Sequence, residues 1–189
     1  MTAKPLDVPP SARCRYRLMG PDDADLLFDL DQDPEVMRFL NDGKPTPRAE
    51  VDEYFIPRML AFTDPATGCG LWAVEDRAGG DFLGWILVRQ YGFGTDYHAL
   101  DNIELGWRMY RRCWGQGLAT EAALAIMLAV ARLPGTRRFC AIADPANLGS
   151  IAVMKKLGMQ YVDDRVHKTP KQDFSVAYYD MPNPLGPIT

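Results

Sequence analysis

The stretch Arg111-Arg112-Cys113-Trp114-Gly115-Gln116-Gly117-Leu118-Ala119-Thr120-Glu121-Ala122 sets two glycines around one glutamine, just before an apolar run with helical spacing. A helix start leaves backbone N–H groups without partners and carries a partial positive charge. Glycines ahead of it remove side chains that would block a ligand, so the segment can hold an anion, most naturally a phosphate. Charge-assisted contacts of this kind contribute on the order of 1.5–3 kcal/mol each, and Arg111 and Arg112 can add charge. On the glycines alone, a tight turn that binds nothing fits as well. A Walker A loop needs Gly-Lys-Ser/Thr, but Leu118 follows Gly117. A dinucleotide fingerprint needs Gly or Ala where Thr120 stands and an acid about twenty residues on, and Asp144 lies too far along.

Other reactive side chains are sparse. His98 and His167 are the only histidines, and neither stands in a metal-ligand spacing, so no metal is expected. Cys14, Cys69, Cys113 and Cys140 are scattered with no Cys-x-x-Cys pair, which reads as reduced thiols and a cytoplasmic protein. Cys113 as a nucleophile paired with either histidine is disfavoured, because nothing in the sequence orients such a pair.

These residues need elements to position them. A strand is expected at 15–19, then a helix from Pro21 with acids in its first turn, a second over 33–40 and a third over about 47–61. Strands over 70–76 and 82–91 flank a glycine-rich turn and read as a hairpin, followed by a loop over 92–101. Ile103 to Tyr110 alternates, with Ile103, Leu105, Trp107 and Met109 on one face and Glu104, Gly106, Arg108 and Tyr110 on the other. A buried helix follows over 118–132, then a strand over 138–144, so the two strands around it should run parallel. A helix over 148–157 ends at Gly158, and two strands close the chain. The 189 residues suit one core, with residues 1–12 as a loose proline-bearing arm and 13–189 as a single domain. Net charge −4 and the lack of a basic run argue against nucleic-acid binding. The lack of a long apolar run argues against a membrane span, and the first residues lack the apolar core of a signal peptide.

Arg112-Cys-Trp-Gly115-Gln-Gly117-Leu-Ala119 fits the pattern R/Q-x-x-G-x-G/A, and Asn147-Leu-Gly-Ser150 runs on to Lys156-Leu-Gly158. Together these elements resemble the GNAT superfamily of N-acetyltransferases, and Glu104 to Ala122 resembles the branch that acetylates N-terminal amines of ribosomal proteins. The resemblance spans about Arg13 to Met181. It implies an α+β fold: a mixed, mostly antiparallel twisted sheet with a central splayed parallel pair and flanking helices. It implies acetyl-CoA as co-substrate, with its pyrophosphate on Gly115, Gln116, Gly117, Leu118 and Ala119, supported by Arg112 and Thr120. Met109 and Tyr110 would offer backbone groups to the pantetheine arm and the thioester oxygen, and Asn147 and Ser150 would complete the cofactor side. Glu104 matches a position that serves as base in some members. Many members carry a proton-donating tyrosine where this chain has Met154, so Ser150 is the substitute donor, with Tyr110 and Tyr161 behind it. The acceptor implied is a primary amine, on a peptide or a small molecule, taken by a monomer or homodimer. Asp29, Asp31, Asp33, Glu35, Asp42 and Glu50 on the acceptor side read as ordinary helix-surface acids, and would also suit a cationic amine. Two alternatives stay open: an acyl-CoA-binding module without turnover, which Met154 motivates, and transfer of a longer acyl group such as succinyl.

Overall fold

The computed structural model describes residues 4–41, 43–168 and 173–186. Its centre is a seven-stranded sheet of β1 (Cys14–Leu18), β2 (Gly70–Asp76), β3 (Phe82–Tyr91), β4 (Ala99–Met109), β5 (Arg138–Ala143), β6 (Gln160–Lys168) and β7 (Asp173–Pro182). The order is β1-β2-β3-β4-β5-β7-β6, and all pairings are antiparallel except β4 with β5. That parallel pair is the crossover expected from strand, helix, strand, and its pairing is short. It runs from Asn102–Arg138 to Glu104–Cys140, while β4 continues to Met109 and β5 to Ala143. Beyond Glu104 the two strands are splayed.

Helices cover both faces. α5 (Leu118–Val130) and α6 (Leu148–Leu157) bury Ile126, Met127 and Met154 against Ile86, Val88, Leu105 and Phe139. On the other face α1 (Ala24–Leu30), α2 (Pro34–Met37), α3 (Arg48–Glu50) and α4 (Ile56–Phe62) lead to a second core around Leu27, Val51, Met59, Leu71 and Ala73. The helix expected over 47–61 is one path interrupted by a π-helical turn at Val51–Phe55. Pro57 stands just inside α4 and cannot donate the regular bond to Glu53, which accounts for the widened turn. The second helix stops at Met37 rather than Leu40, because the Met37 carbonyl accepts N–H bonds from Leu40, Asn41 and Gly43 and turns the chain there.

Two further expectations change. β4 starts at Ala99, four residues early, because Ala99 pairs with Tyr91 across a register shift in β3. The proline-bearing arm is laid against the domain instead of hanging loose over its described part. Leu6 N–H bonds Pro65 O at 2.7 Å, Val8 is buried, and Ser11 Oγ donates to Glu121 at 2.7 Å.

Candidate active site

The glycine loop follows a 3₁₀ turn at Arg111–Cys113 and runs directly into α5. Gly115 and Gly117 have φ of 72° and 75°, the left-handed region that glycine adopts without strain. The first N–H of this segment that bonds back is Glu121, to Gly117 O at 3.0 Å. Among the described residues, the N–H groups of Gly115, Gln116, Gly117, Leu118, Ala119 and Thr120 have no backbone partner. Gly117 is the N-cap and offers no side-chain cap. Six consecutive donors at a positive helix end make a seat for a phosphate group. A plain turn into a helix would leave the first of these donors to water, since Gly115, Gln116 and Gly117 are exposed.

The arginines of the loop are already engaged. Arg112 donates to Phe82 O at 2.9 Å and lies over the Tyr110 ring at 4.1 Å, and Arg111 pairs with Asp33 at 3.6 Å. Behind the loop a cavity of about 660 Å³ is lined by Arg13, Arg77, Arg112, Asp76 and Gln116, among others.

Beside the loop lies the gap between β4 and β5. Tyr110 N–H is used in pairing, bonding Leu83 O at 3.0 Å, so it is not available to a thioester oxygen. Successive N–H groups of a strand point to opposite edges. Met109 and Trp107 therefore turn theirs toward β5, past the point where β4–β5 pairing stops. Of Met109 and Tyr110, only Met109 turns its N–H toward the gap, and Trp107, which the sequence did not single out, does the same. The Met109 carbonyl accepts Trp114 Nε1 at 2.9 Å, which ties the loop to the strand end. Trp114 is half exposed, and its part in the site was not read from the sequence.

Glu104 sits at the last paired position, on the face away from α5. It is buried, and its Oε2 accepts from Arg89 Nη2 at 2.7 Å. It is a salt-bridged glutamate, as a charged residue on a covered face must be. Arg89 was missed in the sequence reading, although a lone arginine in the apolar strand FLGWILVRQY was a visible signal. Burial works against the Arg89 charge, and the Glu104 carboxylate more than restores it, so the guanidinium is raised above its ordinary value. Arg89 Nε is buried without a partner. His167, half-buried on the β6–β7 hairpin, senses the same cluster. Burial pushes its imidazole below the ordinary histidine value; Glu104 opposes this, and Arg89 and Arg58 reinforce it. His98 is bound to Gln90 at 2.8 Å. Burial also raises the Cys113 thiol, which makes it a poor nucleophile.

Of the acids expected to suit a cationic amine, Asp31 and Asp33 are committed elsewhere. Asp31 is buried between Arg108 and Thr46 Oγ1, the latter at 2.7 Å. Asp33 caps α2 through Glu35 N–H at 2.9 Å, and Asp29 and Glu35 are exposed. Asp42 lies outside the described residues. On the other side of the gap, Asn147 caps α6, its Oδ1 accepting from Ser150 N–H at 3.0 Å. Ser150 is half-buried, Tyr161 is exposed, and Met154 is fully buried in the main core. Trp72 is a core residue bonded to Gly68 O at 2.8 Å. No group of three or more His, Cys, Asp or Glu side chains among the described residues is placed to hold a metal ion.

A seat of unpaired helix-start donors thus lies beside two parted parallel strands. The model of the acetyltransferase (GNAT) domain matches residues 13–160, and the chain belongs to this family. YkkB of Bacillus subtilis, described as uncharacterised, is 31% identical over 153 residues, 79% of this chain and 83% of that one. The FsC-acetyl coenzyme A-N(2)-transacetylase of Aspergillus fumigatus is 27% identical across 97% of this chain and 74% of its own. Among solved structures, RimL, a ribosomal L7/L12 α-N-protein acetyltransferase in complex with coenzyme A, superposes with a TM-score of 0.70. It is 14% identical, covering 93% of this chain and 97% of that one, a likeness of fold.

Removing Arg89 strands a buried carboxylate. Arg89→Met is expected to lower stability by about 3–5 kcal/mol, and the double variant Arg89→Met with Glu104→Met by much less. Urea unfolding of both reads this directly, and an unchanged single variant contradicts the buried pair.

Proposed function

We propose that the chain transfers an acetyl group from acetyl-CoA directly to a primary amine within a ternary complex. The observation that carries the reading is the run of six unpaired N–H groups, Gly115 to Thr120, beside the gap after Glu104. The loop takes the pyrophosphate and the gap takes the pantetheine arm. Asn147 and Ser150 border the arm from α6, and Arg112 lends its charge from behind the loop.

The amine must lose a proton before its lone pair can attack the thioester carbon. Glu104 receives that proton, directly or through one water, on the face opposite α5. Arg89 holds the carboxylate in place and balances its charge. As the C–N bond forms, the carbonyl oxygen becomes an oxyanion, which the Met109 or Trp107 N–H stabilises. The carbonyl re-forms as the C–S bond breaks, the nitrogen gives up its second proton to solvent, and the leaving sulfur takes a proton from solvent or from Ser150, which regains one from solvent. Met154 is fully buried and packs in the main core, so the proton donor in this reading is another group. The names of the relatives support an amine acceptor: one acetylates a protein α-amine, and another is a transacetylase acting at N(2). A peptide N-terminus and a small-molecule amine are both within this reading, and acetyl is the acyl group it commits to.

Gly117→Asp places a carboxylate in the phosphate seat. Asp tolerates left-handed backbone, and a Cβ there meets only Arg13 Nη2 at 3.8 Å, so the variant should fold. Calorimetry should show acetyl-CoA affinity reduced at least about hundredfold. Unchanged affinity in the folded variant contradicts the loop assignment. Glu104→Gln should lower kcat about a hundredfold with acetyl-CoA affinity retained, on whichever amine of a peptide and small-amine panel supports turnover. Wild-type kcat across the pH range removes Glu104 as the base.

A further inference from the structure

We propose that Arg13 is a positioning residue for the phosphate loop, so that the N-terminal segment belongs to the acetyl-CoA site. The inference rests on the loop assignment above.

Glu121 lies in the first turn of α5 and collects the segment that precedes β1. Its Oε1 accepts from Ser11 Oγ at 2.7 Å and from Arg13 N–H at 2.8 Å. Its Oε2 accepts from Arg13 Nε and Nη2, both at 2.7 Å. The same guanidinium reaches past Glu121 into the loop, where Nη1 donates to Gln116 O at 3.0 Å. In a trans peptide the C=O and the following N–H point in opposite directions, and the described chain has no cis bonds. Holding the Gln116 carbonyl toward Arg13 therefore turns the Gly117 N–H away from it, outward from the loop. Gln116 Nε2 donates to Arg112 O at 2.6 Å, which folds the side chain back and leaves the main chain uncovered. With glycine at both 115 and 117, this peptide would otherwise rotate with little steric resistance.

Arg13 also settles an electrostatic conflict. A carboxylate in the first turn of a helix suits the helix but repels a phosphate bound at the same end. The Arg13 guanidinium, clasped to Glu121 in a two-pronged pair, cancels that charge where the pyrophosphate sits. Burial raises the Glu121 carboxyl, but the bonds from Ser11 and Arg13 outweigh it and hold the group below the usual carboxylate range. Both effects act on a ligand that carries phosphates and not on one that lacks them.

The test compares CoA with pantetheine, which has the arm and the thiol but no pyrophosphate. Calorimetry gives Kd for CoA, and an NMR titration at millimolar ligand gives Kd for pantetheine, in wild type, Arg13→Ala, Arg13→Lys and Glu121→Gln. Arg13→Ala should weaken CoA about tenfold or more and pantetheine less than about twofold. Arg13→Lys, with one donor head in place of the fork, should recover part of the loss. A general loosening of the fold would weaken both ligands alike, and a preserved ratio of the two Kd values overturns the proposal. Should Arg13→Ala fail to melt cooperatively, the Lys and Gln variants decide, with a ratio equal to wild type again overturning it. Wild type that does not bind CoA at all refutes the loop assignment itself, an outcome distinct from an unaltered Arg13→Ala.

Discussion

Backbone groups that cannot pair within a fold must be covered by something else, and this chain leaves two sets of them side by side. Parallel pairing between β4 and β5 stops at Glu104–Cys140, although both strands continue. A few residues later the chain enters α5 through two left-handed glycines, with six N–H groups unsatisfied. The two sets are connected by Trp114, whose indole N–H holds the last carbonyl of β4. The rest of the architecture keeps this gap open. α5 is too apolar to sit anywhere but on the sheet, and Met154 anchors α6 in the same core, so the α6 end that carries Asn147 and Ser150 is fixed beside β5.

The two faces of β4 are unlike each other, and that difference divides the labour. Ile103, Leu105 and Met109 enter the main core. Glu104 and Arg108 turn to the opposite face, Glu104 buried against Arg89 and Arg108 partly buried against Asp31. Two buried pairs of this sort contribute little net stability compared with apolar packing. They fix a charge pattern on the face of β4 opposite α5. The arrangement around Glu104 is not the acidic basin that helix composition suggested. Asp31 and Asp33 are spent on an ion pair and a cap, and Arg58, Arg89 and His167 share the space with Glu104.

Much of this was legible in the sequence because it rests on local chemistry. Strand-forming residues on either side of a glycine-rich turn located β2 and β3 to the residue, and Gly158 marked the end of α6 through its left-handed backbone. Gly115 and Gly117 announced the loop for the same reason. What stayed hidden depends on which distant residues meet. The Arg89–Glu104 bond spans neighbouring strands, and the Arg13–Glu121 bond spans over a hundred residues of chain. Composition made the first twelve residues look loose, while tertiary contacts at Leu6, Val8 and Ser11 hold the described part, 4–12, against the domain. Strand edge direction decided Tyr110: its N–H faces β3, a matter of register that alternation of side chains does not reveal.

The most direct measurement is a backbone amide NMR titration of the isotopically labelled protein with acetyl-CoA. The account predicts the largest shifts at the amides of Gly115 to Thr120, with a second group at Trp107 and Met109. Saturable shifts confined to other surfaces, with the 115–120 amides unmoved, would contradict it.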